Sequence, residues 1–486
     1  MSSPSPLRFI IIGTGFAGMG MAIALRKAGI QDFVILERAS DVGGVWRDNA
    51  YPGAACDVPS HLYSFSFEPN PNWTRVFASQ REIFDYLRHC ADKYKLRQHI
   101  QFDSEVAGAA FDDAKQLWRV QLKDGRELSA QFLITGTGQL SQPAMPAIEG
   151  LKSFAGPSFH SAQWDHTVSL TGKRVAVIGT GASAIQFVPA IAKQVANLDV
   201  YQRSPAYMMK RPDRPYTSLE RWLFAHVPGA MRLHRAWIYT QYEYRALAFT
   251  RFKGLMKLAV GVPFQRLLKA QVSDPALRQQ LTPDYPIGCK RILLSSEYLA
   301  TMAQPQVHLH TQGIQRITPD GVMTRDGIVH PADVLVYGTG FEATKFLAPM
   351  QIKGRQGLDL NEAWRNGAQA YLGLTMPGFP NLFMLYGPNT NLGHNSIVYM
   401  IESQIAHVMR CLKAMDAQQR TTLEPDPAVH QHYNADVQQR LQHTVWNGCK
   451  SWYVDANGHN STNWPGFTLS YRCLTRWSSL RAYKLG

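Results

Sequence analysis

Near the N-terminus four aromatic and β-branched positions follow one another, Phe9-Ile10-Ile11-Ile12, and a short unbroken apolar run reads as a buried parallel strand. Met19 to Lys27 then reads as a helix closed by Gly29 at a C-cap position. Phe33-Val34-Ile35-Leu36 reads as a second strand, ending at Glu37. The same succession returns later in the chain. Arg174-Val175-Ala176-Val177-Ile178 predicts a strand, Ile185 to Ala192 an apolar helix, and Leu198 to Tyr201 a strand that ends at Gln202-Arg203. Two more strands, Phe132-Leu133-Ile134-Thr135 and Val334-Leu335-Val336-Tyr337, each run into a turn, Gly136-Thr137-Gly138 and Gly338-Thr339-Gly340. Glycine at such strand ends lets the chain cross close to a ligand.

The turns inside the two strand–helix–strand units carry chemistry. Gly13-Thr14-Gly15-Phe16-Ala17-Gly18 is GxGxxG and Gly179-Thr180-Gly181-Ala182-Ser183-Ala184 is GxGxxA. In this context the glycines allow backbone N–H groups to approach a pyrophosphate at a helix N-terminus, where the dipole favours an anion. Glu37 follows Gly13 by 24 residues and Arg203 follows Gly179 by the same 24. A carboxylate accepts hydrogen bonds from ribose hydroxyls and repels a 2′-phosphate, which a guanidinium can grip bidentately. FAD in the first unit and NADPH in the second is the pairing this implies. Arg203 also has a plainer reading, as a solvated cation at a strand end.

Between Pro212 and Pro286 the composition changes to Arg, Leu, Ala and aromatics, with few β-branched runs. Leu219 to His226 and Tyr239 to Lys253 read as helices, the second closed by Gly254. At 486 residues the chain has room for roughly three domains of about 150. Hydrophobic residues make up 45% and charged residues 18%, which excludes a disordered chain. The formal charge of +14 admits nucleic acid, an anionic membrane surface or phosphate-bearing ligands. The cations are dispersed and no nucleic-acid motif accompanies them, so nucleic acid is not expected. Six cysteines, no two closer than 24 residues, predict no metal-ligand cluster, no redox CxxC pair and thiols suited to a reducing cytosol. No run of 18 uncharged apolar residues predicts a spanning helix, and Phe9–Ile12 is too short for a secretory h-region.

Further motifs bring a resemblance. Phe154-Ala155-Gly156-Pro157-Ser158-Phe159-His160-Ser161-Ala162-Gln163-Trp164-Asp165 fits FxGxxxHxxxW(P/D) and lies between the two glycine-rich turns. Gly43-Gly44-Val45-Trp46 and Tyr51-Pro52-Gly53-Ala54-Ala55-Cys56-Asp57 fit GGxW and (Y/F)PG followed by Asp. With Asp57 to Phe67, Lys290-Arg291, Gly387-Pro388-Asn389-Thr390-Asn391 and Gly448-Cys449-Lys450-Ser451-Trp452-Tyr453, the chain resembles the type I Baeyer–Villiger monooxygenases over essentially its whole length. Two departures stand out. Ala55 sits where many members carry Arg, and the first nucleotide strand begins without the N-terminal extension some members have.

The resemblance implies that NADPH reduces FAD, that reduced flavin captures O₂, and that a flavin C4a-peroxide attacks a ketone to give an ester or lactone, with sulfoxidation as a second reactivity. Such an oxidant stays anionic only beside a fixed cation, and Arg cannot lose its proton under working conditions. Arg291 is assigned that role and Asp57 the role of holding it, which makes these two the expected catalytic pair. Lys290 joins Arg203 on the 2′-phosphate, and Trp452 closes over the nicotinamide. As isolated residues, Lys290-Arg291 could equally be solvated and Trp452 could be core. The expected cofactor-binding set is Gly13, Gly15, Phe16, Gly18, Glu37, Gly44, Val45, Trp46, Asp57, Tyr63, Val106, Gly179, Thr180, Gly181, Ser183, Ala184, Arg203, Ser204, Lys290, Arg291 and Trp452, with no metal. His160 is expected to couple the nucleotide domains rather than to move protons, and a helix starting near Asn395 to aim its dipole at the flavin.

The expected fold is α/β, with two Rossmann-like dinucleotide-binding domains, for FAD and NADP, and a helical insertion in the latter. The FAD domain would comprise 1–145 and 341–486, the NADP domain 146–211 and 286–340, and the insertion 212–285. Expected partners are a small ketone and O₂, with weak contact between the insertion and a membrane surface; a solvated lid is the plainer reading of that insertion. The expected location is cytoplasmic. An N- or S-oxygenating flavin-containing monooxygenase shares both glycine turns and is the nearest alternative. A non-catalytic FAD/NADP sensor is the alternative of another class.

Overall fold

A computed structural model describes residues 5–252, 254–449, 451–455 and 457–486. The predicted first unit forms as strand Leu7–Ile12, helix Phe16–Lys27 and strand Phe33–Leu36. Leu7–Ile12 pairs in parallel with Phe33–Leu36 on one side and with Glu127–Thr135 on the other. Its register sets Phe9 opposite both Phe33 and Phe132, and the Phe9 and Phe132 rings stack 5.0 Å apart. Glu127–Thr135 pairs antiparallel with Leu117–Leu122 through its first half. Through its second half it also takes the late strand Leu382–Met384, in parallel. Residues from both ends of the chain thus enter one eight-stranded sheet.

A second sheet has five parallel strands, in the order Val307–His310, Asn197–Tyr201, Arg174–Ile178, Val334–Tyr337 and Ser158–His160. All-parallel pairing needs both faces covered, which suits the unbroken apolar runs that predicted the three central strands, while the edge strands Ser158–His160 and Val307–His310 carry no such run and were not expected. Helix Ala184–Ile191 follows Arg174–Ile178, and His160 of the long fingerprint ends the edge strand.

The crossing glycines work as close contacts. A Cβ on Gly13 would lie 2.8 Å from Gly136 O, and one on Gly18 only 1.9 Å from Gly13 O. The Phe16–Lys27 helix can therefore seat on its strand only without side chains at these points. In the second unit Gly179 meets Gly338 the same way, its Cβ position 2.4 Å from Gly338 O, while the third motif position tolerates Ala184. Gly18→Ala should push the helix off its strand, at about 1–3 kcal/mol or more. A lowered melting temperature and a lowered flavin-to-protein ratio in the purified variant would show it.

The insertion is helical as expected but differently divided. Thr217 and Glu220 form a reciprocal capping box that starts Ser218–His226, one residue before the expected start. Val227-Pro228-Gly229 then breaks the chain, and Gly229, at φ +84°, opens helix Ala230–Tyr244. The single helix expected over Tyr239–Lys253 is thus two: Ala230–Tyr244, beginning nine residues earlier, and the short Ala246–Thr250. The left-handed Gly229 offered a start signal that the apolar pattern alone did not. Lys253 lies outside the described residues.

Candidate active site

Arg291 leaves a turn in which Gly288 adopts φ +87° and Cys289 N–H donates to Pro286 O. It leads into strand Leu293–Leu294, which is anchored in parallel to Met208–Met209. Asp57 arrives from the other side, on the Tyr51–Asp57 loop of the first unit. Gln186, on the helix of the second unit, clasps that loop. Its side-chain carbonyl accepts from Tyr51 Oη at 3.0 Å and from Ala55 N at 3.3 Å, and its Nε2 donates to Ala55 O at 3.0 Å. A Cβ on Gly53 would stand 2.7 Å from Gln186 O, so the approach is backbone-close. The clasp uses the backbone of Ala55, the position at which the chain departs from the family pattern.

The two groups meet. Arg291 Nε donates to Asp57 Oδ2 at 3.2 Å and Nη2 donates to the same oxygen. About three-tenths of each side chain remains accessible, so the pair is paired and yet open on one side. Asp57 holds the guanidinium pKa above its ordinary value, against the opposing pull of desolvation. Buried tyrosines surround the pair. Burial pushes Tyr453 up to about 12, with Arg291 pulling the other way, and it also raises Tyr386, whose hydroxyl donates to Asn391 Oδ1 at 2.8 Å. The result is a permanent cation held by one carboxylate among neutral phenols.

On the first unit the structure gathers Phe16, Trp46 and Tyr63. Trp46 Nε1 donates to Tyr63 Oη at 3.2 Å, and Phe16 meets the Tyr63 ring edge-on at 5.2 Å. Gly15, the N-cap of Phe16–Lys27, makes no side-chain cap and has open space where a Cβ would be, and Gly44 approaches it so closely that a Gly44 Cβ would lie 3.2 Å from Gly15 Cα. An uncapped helix start in open space fits a pyrophosphate. Glu37 is buried at the end of its strand, accepting from Thr14 N at 3.0 Å and Ala39 N at 3.0 Å and pairing with Arg47 at 3.2 Å. Val106 differs from the rest of the set. Its side chain is core, packed with Val34 and Leu36, which leaves its backbone as the part able to meet a cofactor.

On the second unit Gly181 has open space around its Cβ position, and Ser183 caps Ala184–Ile191 without a side-chain bond. Thr180 Oγ1 lies 3.5 Å from Ser204 O, and Lys290 Nζ donates to Ser204 Oγ at 2.9 Å. Burial, and then the charge of Arg203, lower the Lys290 pKa. Two cations held close enough to repel each other make an anion site that fits a 2′-phosphate. Trp452 is half-exposed and lies against Tyr453, with ring centroids 4.2 Å apart, which puts it on the loop beside Arg291 and not in the core. His160 Nδ1 accepts from Ala162 N at 3.1 Å, and its ring meets Phe341 edge-on, bridging the fingerprint strand and the segment leaving the second sheet. The helix expected near Asn395 is Ile397–Ala417, and Asn395 itself donates to Glu243 Oε2 at 2.7 Å.

Three features escaped the sequence reading. Glu243 takes Asn395, Thr468 and the Leu469 amide, tying the insertion to the C-terminal part of the chain. Its signal was available, since it is the one acid between 221 and 273. The second feature corrects the expectation of unpaired thiols: Cys289 and Cys449 form a disulfide, with Cα atoms 6.0 Å apart across 160 residues of sequence. Spacing could not show this, because contact between the two segments brings the cysteines together. A Cβ on Gly288 would lie 3.0 Å from Val445 Cγ2, and one on Gly448 3.4 Å from Pro286 Cγ. Third, Asp199, His310 and His330 gather with their ligating atoms within 4.8 Å of one another, where spacing predicted no metal cluster. Their polar atoms already have partners. His310 Nε2 lies 2.6 Å from Asp199 Oδ1, Asn197 donates to Asp199 Oδ2 at 2.6 Å, and Thr324 Oγ1 is 3.1 Å from His330 Nε2.

The disulfide ties the turn that carries Lys290 and Arg291 to the loop that carries Trp452. Closing so long a loop is worth on the order of 5 kcal/mol in the chain-entropy account. Cys449→Ser should therefore lower the melting temperature and raise KM for NADPH more than it changes kcat. Peptide mapping without reductant should recover the 289–449 link in the parent protein.

Two strand–helix–strand units, each with an open glycine turn, and an Arg–Asp pair between them define a two-dinucleotide oxidoreductase class. A family profile described as "Pyridine nucleotide-disulphide oxidoreductase" matches residues 10–245. A Baeyer-Villiger monooxygenase of Pseudomonas aeruginosa is 48% identical over 478 residues, covering 98% of this chain and 90% of the relative. One of Streptomyces coelicolor is 46% identical, covering 99% and 92%. A crystal structure of OTEMO in complex with FAD and NADP superposes with a TM-score of 0.89 at 29% identity, covering all of both chains. The chain belongs to the Baeyer–Villiger monooxygenase family.

Proposed function

We propose that this protein is an NADPH- and O₂-dependent flavin monooxygenase that inserts an oxygen atom beside a ketone carbonyl, giving an ester or lactone. The observation that carries this reading is the partly accessible Arg291–Asp57 pair, which joins the 51–57 loop of the first unit to the turn that also carries Lys290. Bound FAD supplies the redox chemistry, taking hydride from NADPH and delivering oxygen to the substrate. The chain's own residues supply position and charge. Gly13, Gly15, Phe16, Gly18, Glu37, Gly44, Val45, Trp46, Tyr63 and the Val106 backbone would hold FAD. Gly179, Thr180, Gly181, Ser183, Ala184, Arg203, Ser204, Lys290 and Trp452 would hold NADPH.

Arg291 keeps a positive charge where negative charge builds on oxygen, and Asp57 keeps the guanidinium oriented. This pair also favours ketone oxygenation over attack on soft N or S atoms, which does not call for a cation fixed in this way.

The FAD domain on this reading comprises 1–145 and 341–486, the NADP domain 146–211 and 286–340, and the insertion 212–285. Support comes from the first sheet, which draws strands from both chain ends, and from the second, which draws all of its strands from 158–337. We place the enzyme in the cytoplasm, supported by the free thiols Cys56, Cys90, Cys411 and Cys473, with the Cys289–Cys449 disulfide pointing the other way. Its partners are a small ketone and O₂, with a membrane surface touched through the insertion. Among the described residues no helix is long and apolar enough to cross a membrane.

A ketone panel on purified holoenzyme, following NADPH oxidation with ester, lactone and H₂O₂ quantified together, tests the activity. Ketone-dependent ester or lactone is the expected outcome. NADPH consumption yielding H₂O₂ alone with every ketone would overturn it.

A further inference from the structure

The insertion shows an outer face unlike the rest of the surface. Among the described residues sixteen large hydrophobics are exposed, and nine of them fall between 219 and 258. Helices Ser218–His226 and Ala230–Tyr244 turn Phe224, His234, Ile238 and Tyr242 inward. They turn Leu219, Trp222, Leu233, Trp237 and Tyr244 outward, with Leu233 73% and Trp237 63% exposed. Phe252, Leu255 and Leu258 continue the apolar set beyond the second helix. A solvated lid would carry polar side chains at these positions.

The charge of the segment is as one-sided as its hydrophobicity. Residues 218–269 include nine Lys or Arg and two acids, Glu220, which pairs with Arg214, and Glu243. Glu243 is buried with both oxygens bonded inward, so it offsets nothing at the surface. Arg221, Arg232, Arg251, Lys257, Arg266 and Lys269 are exposed. Exposed Trp, Tyr and Leu interleaved with cations are what an anionic lipid interface accommodates: the apolar bodies enter the headgroup boundary and the cations meet phosphate. A second copy of the chain fits poorly, because it would oppose one basic face with another.

We propose that the outer face of the 218–269 helices docks this protein on an anionic lipid bilayer as a peripheral, non-spanning contact. The proposal names the lipid class and the residues for the membrane contact given above as part of the function, and rests on that reading only for its purpose, delivery of an apolar ketone. Binding itself is independent of catalysis.

The test is co-sedimentation of the FAD-loaded protein with vesicles of equal parts phosphatidylglycerol and phosphatidylcholine, and with phosphatidylcholine alone. Binding to the first, weakened by added salt and at least about tenfold tighter than to the second, is expected. Arg232→Gln with Lys257→Gln should weaken it about 25-fold, at about fivefold per cation. Trp222→Ser with Trp237→Ser should weaken it while leaving turnover of a water-soluble ketone and the melting temperature unchanged. Equal partition to both vesicles, or none to either, overturns the proposal. So does a dimer in light scattering that the Trp222/Trp237 variant dissolves, since that would give the face to a second copy. Vesicle binding is read by sedimentation and the oxygenation by product, so either can fail alone.

Discussion

Arg291→Ala is expected to lower ester or lactone formation by about 10²–10³-fold, the loss typical when a preorganised charge at a reacting oxygen is removed. The structure gives the reason. Arg291 donates twice to one oxygen of Asp57, so its plane is fixed while part of the guanidinium stays accessible. Asp57 raises the guanidinium pKa, so the cation persists at every working pH and contributes no limb to the pH–rate profile. Removing it leaves hydride delivery from NADPH with its own binding residues, Lys290, Arg203 and Ser204. NADPH oxidation should therefore continue and the reducing equivalents should appear as H₂O₂. Quantifying product and H₂O₂ in the same assay checks this, and a parallel fall in both would move Arg291 from oxygen transfer to cofactor binding. Arg291→Lys should recover little, because one ammonium cannot reproduce two donors in a fixed plane. Asp57→Ala should act in the same direction but less, shifting the product-to-H₂O₂ ratio as Arg291 loses its orientation.

What the sequence made legible was local. Each glycine turn was readable because its function and its fold use the same few consecutive residues. Glu37 and Arg203 were readable because each closely follows the strand beside its glycine turn, Glu37 directly after Leu36 and Arg203 two residues after Tyr201, the residues whose carbonyls accept from Gly13 N and Gly179 N. Arg291 and Asp57 are 234 residues apart, and only the family resemblance suggested that they meet. Nothing local marked Gln186, an amide on an apolar helix, as the clasp for the loop carrying Asp57. Cys289 and Cys449 were misread for the same reason: spacing rules detect clusters along the chain, and this pair is made by two segments packing across 160 residues. The start of the second helix was placed nine residues late because only the left-handed backbone at Gly229 shows where it begins. The exposed face of the insertion was legible in composition and not in direction, since composition does not say which side of a helix faces the core.

The second large effect concerns nucleotide choice. Lys290 Nζ donates to Ser204 Oγ, and its pKa is lowered by burial and by the nearby charge of Arg203. Without an anion between them the two cations repel, and a 2′-phosphate relieves that repulsion while gaining charge-assisted hydrogen bonds from both. Each such bond is worth about 1.5–3 kcal/mol, roughly tenfold or more in affinity. Arg203→Ala with Lys290→Ala should then raise KM for NADPH by about 10²-fold or more and leave KM for NADH nearly unchanged, since NADH has no group at that position. The change belongs in KM and not in kcat, because the phosphate is held identically before and during hydride transfer. Each single variant should lose less than half of the effect on the logarithmic scale, because removing one cation also frees the other from repulsion. Steady-state kinetics with both nucleotides give the ratio directly, and an unchanged NADPH-to-NADH preference in the double variant would remove Arg203 and Lys290 from the nucleotide site.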